Sequence, residues 1–175
     1  MINFKVRIEF MSILQRYFVT MFITRLSLIF IALLGVSCGG GDTSGTKNAS
    51  GETVIEIKIK GNSIADMMFA PRSISVEKGS KVKLILKNEL RTKDLYQNWV
   101  LVNLGTAQDV VNDALSEDAK NSDKPSGKNV IAATSLAEPG KSAEVIFTAP
   151  GTGSYQYIST FPGSYPKLTG TLTVR

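Results

Sequence analysis

Between residues 54 and 60 the chain alternates with a period of two. Ile55, Ile57 and Ile59 are separated by Glu56 and Lys58 and followed by Lys60. That spacing puts apolar side chains on one face of a β-strand and charges on the other, and no helix can sort them that way. Val82, Leu84 and Leu86 repeat the pattern against Lys81, Lys83 and Lys87, and Ile74 and Val76 alternate with serines. Further short strands are expected over residues 99–102, 129–132, 144–148, 155–158 and 170–174. Pro139-Gly140, Pro150-Gly151 and Pro162-Gly163 punctuate them, and Glu77-Lys78-Gly79-Ser80 reads as a turn. Half-buried strands with such turns must pair their apolar faces, which predicts an all-β sandwich or barrel.

One stretch departs from the period. Over residues 106–119, Val110, Val111, Ala114 and Leu115 recur at helical spacing, and Thr106 with Asp109 three residues later forms a plausible helix start. This predicts a single short helical insertion. Asp109, Asp113, Glu117 and Asp118 crowd it, and a solvated helix face is the expected reading rather than a cation site.

The first 37 residues have a different character. Residues 26–36, LSLIFIALLGV, carry no charge, follow Arg16 and Arg25, and lead into Ser37 and Cys38. A basic flank, a short apolar run and small residues form a secretory signal, and the run falls short of the roughly 20 apolar residues of a membrane span. Met1, Met11 and Met21 are alternative starts. Cys38 is the sole cysteine, and LLGVSC resembles the signal of bacterial lipoproteins, although Gly35 stands where an aliphatic residue is usual. The expectation is a lipoprotein-type signal peptide over 1–37, lipidation at Cys38, and a flexible linker over 38–52, since GGGDTSGTKNASGE is small and polar. Gly39 after Cys38 leans towards the outer membrane. Setting aside Lys5, Arg7, Arg16, Arg25 and Glu9 reduces 20 basic and 15 acidic side chains to 16 and 14, so the formal charge offers no case for nucleic acid.

Four tracts make the sequence specific: MMF at residues 67–69, QNWVL at 97–101, VIAATSL at 130–136 and STFPGSYPKLTGTLTV at 159–174. In order and spacing, residues 53–175 resemble azurin and its cupredoxin relatives. The resemblance implies a Greek-key β-sandwich of about eight strands with one short helical insertion and a copper site at one end. It also implies which residues should hold copper, and this chain differs at each. Gln97 and Ser164 stand at the two histidine positions, Ser159 at the cysteine position and Leu168 at the axial methionine position. Tyr96 stands where a backbone carbonyl approaches the metal. A type 1 site needs two imidazoles and a thiolate in a trigonal plane. The chain has no histidine, so no metal and no cofactor is expected.

Asn98 and Thr160 match the residues that tie the family's ligand loops together. With Gln97, Ser159 and Ser164 turned inward, polar side chains are expected to bond one another as a small plug, with or without a water, because buried polar groups need partners. Trp99 reads as core, as do Tyr155 and Tyr157, whereas Tyr165 between Ser164 and Pro166 reads as exposed. Met67, Phe69, Pro162, Tyr165 and Pro166 are the candidates for a partner-docking patch at the loop end. A serine nucleophile would lack a histidine base, so an enzyme is not expected. The function expected is a binding or assembly module, membrane-held through its lipid, facing the periplasm and touching an envelope protein. The alternative is copper-based electron transfer of the blue copper family.

Overall fold

The computed structural model describes residues 43–116 and 124–175. The leader, Cys38, Glu117 and Asp118 lie outside the described residues. The strands are β1 (Thr43–Ser44), β2 (Thr46–Lys47), β3 (Thr53–Lys60), β4 (Met68–Ala70), β5 (Ser73–Val76), β6 (Lys81–Asn88), β7 (Val100–Asn103), β8 (Val130–Ala133), β9 (Ser142–Thr148), β10 (Gly153–Ile158) and β11 (Thr169–Val174). Among the described residues one helix, α1 (Ala107–Ala114), sits between β7 and β8. One sheet runs β1-β5-β11-β10-β7-β8, the other β2-β3-β6-β9 with β4 also on β3. The molecule is an all-β sandwich, as the alternation requires.

β3 and β6 lie parallel, with Ile55 opposite Leu84 and Ile57 opposite Leu86. All four point inward and are at most 2 % exposed. Burying each aliphatic side chain contributes about 1.5–3 kcal/mol, so the alternation read from the sequence forms the main core. Trp99, Leu101, Tyr157 and Leu172 meet it from the facing sheet. Trp99 stacks at a tilt between Phe147 and Tyr157, with centroids 5.7 and 5.8 Å away.

β7 is apolar on both faces because both are covered. Leu101 faces the main core, while Val100 and Val102 face a second cluster with Ala107, Val110, Val111, Ala133 and Ile158. The helix is therefore the lid of that second face. It is shorter than expected, and Thr106 does not cap it with its side chain. The Thr106 hydroxyl donates instead to the Asn103 carbonyl at 2.8 Å, which tightens the turn before the helix. Asp109 and Asp113 are exposed.

Two strands fall within the stretch read as linker. β1 pairs with β5 and β2 with β3. Backbone hydrogen bonds along the edge of an existing sheet do not require apolar side chains, so polar composition did not reveal them.

Candidate functional site

The end of β6 fixes the first half of the site. The inward slot after Leu86 falls on Asn88, 1 % exposed. Its side-chain amide donates to the carbonyls of Leu95 and Ala137, both at 2.9 Å, and its oxygen accepts from Leu90 N–H at 3.2 Å. Gln97 and Ala137 then exchange backbone hydrogen bonds at 3.0 and 2.7 Å. Trp99 N–H donates to the Thr134 hydroxyl at 3.0 Å. Asn88 and Thr134 escaped the sequence reading. For Asn88 a signal existed: a polar residue occupies the apolar slot of a strict period-two strand.

The second half comes from the end of β10 and the loop to β11. Phe161-Pro162-Gly163-Ser164 turns back with Ser164 N–H donating to Phe161 C=O at 3.0 Å. Gly163 holds φ +78°, a left-handed conformation that favours glycine, after a proline whose ring presets the turn. The turn drives Ser164 inward.

Gln97, Ser159 and Ser164 are fully buried. The hydroxyls of Ser159 and Ser164 both donate to Gln97 Oε1, at 2.7 and 2.9 Å. Ser159 Oγ also lies 3.1 Å from Asn98 Oδ1, but its single proton favours the shorter contact. Gln97 Nε2 faces Met67 Sδ at 3.9 Å, a weak acceptor. Beside this cluster Asn98 Nδ2 donates to Thr160 Oγ1 at 2.8 Å, and Asn98 Oδ1 accepts from Thr160 N–H at 2.9 Å. Leu168 is fully buried in the main core. Tyr96 is half-buried, with its ring 6.4 Å from that of Phe161. Among the described residues no charged side chain hydrogen-bonds to the cluster.

The docking patch needs correction. Met67 and Phe69 are 3 % and 1 % exposed. Their slots alternate inward around exposed Met68, and Phe69 packs edge-on against Tyr157 at 5.4 Å. Tyr165 is half-buried against the second cluster rather than exposed. Pro162 and Pro166 remain on the surface.

A model of copper-binding proteins, the plastocyanin/azurin family, matches residues 55–175. The chain belongs to that family. Auracyanin-A of Chloroflexus aurantiacus is 35 % identical over 154 residues, covering 84 % of this chain and 92 % of its own. Azurin of Pseudomonas aeruginosa is 32 % identical over 126 residues, covering 68 % and 84 %. The solved structure of auracyanin A, a "blue" copper protein, superposes with a TM-score of 0.60 at 34 % identity, covering 71 % of this chain and all of that one.

The donor chemistry of this family member does not suit type 1 copper. At the positions that the resemblance assigns to the copper ligands stand an amide oxygen that already accepts two hydroxyl protons, the two serines that supply those protons, and a leucine. Soft copper sites are made from thiolate and imidazole, and a neutral serine hydroxyl replaces neither. Among the described residues no group of three or more His, Cys, Asp or Glu could hold a metal ion.

Proposed function

We propose that this cupredoxin is an envelope lipoprotein, anchored through Cys38, that works as a non-redox binding or assembly module. The observation that carries the reading is the convergence of Ser159 and Ser164 on Gln97 Oε1. The hydroxyls and the amide oxygen of this cluster satisfy one another, and it offers neither thiolate nor imidazole to a redox metal; its one soft atom, Met67 Sδ, faces Gln97 Nε2. The same geometry speaks against a serine nucleophile, because both hydroxyls donate to an amide oxygen rather than to a base. Two features support the anchor: the uncharged run over residues 26–36 and the position of Cys38 directly after it. The partner is a protein of the envelope that meets the loop end, where Pro162 and Pro166 are exposed.

Adding Cu(II) to the full chain tests the reading. The expected result is no intense blue absorption and no stoichiometric copper after desalting. The control is the fourfold variant Gln97→His, Ser159→Cys, Ser164→His, Leu168→Met, which should turn blue because the Asn98–Thr160 tie is already in place. A blue wild-type chain would overturn the non-redox reading.

A further inference from the structure

The loop from residue 159 to 168 is closed at its base, where Ser159 N–H donates to Leu168 C=O at 3.2 Å. Within it, Leu168 N–H donates to Ser164 C=O at 2.9 Å. Leu168 sinks into the main core and Tyr165 rests on the second cluster. These contacts shape the loop, but its link to the facing segment is a separate matter. The Asn98–Thr160 pair joins the two next to the base. Among the described residues, the hydrogen bond that reaches the far side of the loop from another segment is Ser164 Oγ to Gln97 Oε1.

We propose that Gln97 is a positioning residue: its side-chain oxygen takes one hydroxyl from each side of the loop and holds the loop end in one conformation with no metal bound. This rests on the non-redox reading and deepens it. One carbonyl oxygen has two lone pairs, and here each receives one proton, from Ser159 and from Ser164. The segment that bears Gln97 is itself fixed by its exchange with Ala137 and by Asn88. The oxygen is thus a fixed point and the loop is what it fixes. Its consequence for binding is a preset face. Phe161, Pro162 and Pro166 meet a partner in the geometry they already have, so the ordering cost of docking is reduced.

Hydrogen exchange on the full chain tests this. In Gln97→Met, amides between residues 160 and 168 should exchange about tenfold faster or more, since Ser164 loses its acceptor and Ser159 is left with Asn98 Oδ1 alone. Exchange in β3, β6 and β9 should stay unchanged. Gln97→Glu keeps an acceptor oxygen in either protonation state and should restore slow exchange. Ser164→Ala, a milder change, should accelerate the same amides. Wild-type exchange in both Gln97→Met and Ser164→Ala would overturn the proposal, as would a gain in protection of wild type on adding Cu(II) over that in chelator. The non-redox reading fails by a different sign, a blue colour, which these exchange rates do not report.

Discussion

At the residue scale, Asn98 concentrates more of the site's bonding than its size suggests. Its amide serves the side chain and backbone of Thr160 together, and it is 2 % exposed. Truncation would strand a buried N–H and a buried hydroxyl in one step. Unsatisfied buried groups cost about 1–3 kcal/mol, so Asn98→Ala should lower the denaturant midpoint by a corresponding amount. An unchanged midpoint would show that water or a neighbour replaces the amide. Trp99 presents the opposite case: its Nε1 is buried with no hydrogen-bond partner. The surrounding rings of Phe147 and Tyr157 give it packing instead of a polar contact. Burial also pushes the Tyr157 hydroxyl well above the ordinary tyrosine range; that hydroxyl donates to the Pro71 carbonyl at 3.0 Å.

At the scale of elements, the wet face of β3 and β6 sets like charges opposite each other. Lys58 and Lys87 are partners in the parallel register, an arrangement that destabilises a sheet unless it is neutralised. Glu56 lies between them, 2.7 Å from Lys87 and 3.7 Å from Lys58, and Glu89 is 3.0 Å from Lys58. The hydrogen bond from Lys87 holds the Glu56 carboxyl below its usual range. A carboxylate with a depressed folded-state pKa stabilises above its unfolded value of about 4.3 and loses that contribution as pH falls through the folded value. Glu56→Gln should therefore lower the thermal midpoint at neutral pH, with a loss of stability of less than about 1 kcal/mol because the pair is exposed. The difference from wild type should close in acid; a constant difference down to about pH 2 would exclude the ion pair as its source.

The strands that bury one face were legible because the period of two leaves no other fold for them. β4 and the two shortest strands were not, since they form by backbone pairing and are too short to set a period: β4 is apolar throughout, and the other two are polar. The site was legible only through family resemblance. Gln97, Ser159 and Ser164 are as polar as any surface residue, and nothing in composition says that a turn at Gly163 and a bridge at Ala137 bury them. Met67 and Phe69 were misjudged because their place in the patch was inferred from relatives. Their own spacing around Met68 puts both on one face, and the structure turns that face inward.

At the scale of the whole molecule, the proposed anchor would decide where the proposed module works. No helix among the described residues is long and apolar enough to cross a membrane; in the proposed reading the attachment is through Cys38. Cys38→Ser should move the chain from the membrane fraction to the soluble fraction, and retention on membranes would rule out lipid at that position as the anchor. The segment just after it also has a structural consequence. In passing from β1 to β2, the chain crosses from the rim of one sheet to the rim of the other through Gly45, where a Cβ would collide with Thr53 and Ile55. Residues 43–47 thus act as a clasp over β5 and one end of β3. The peptide groups that β5 and the start of β3 would otherwise offer to a neighbouring copy are already engaged, which keeps copies from joining along those two rims.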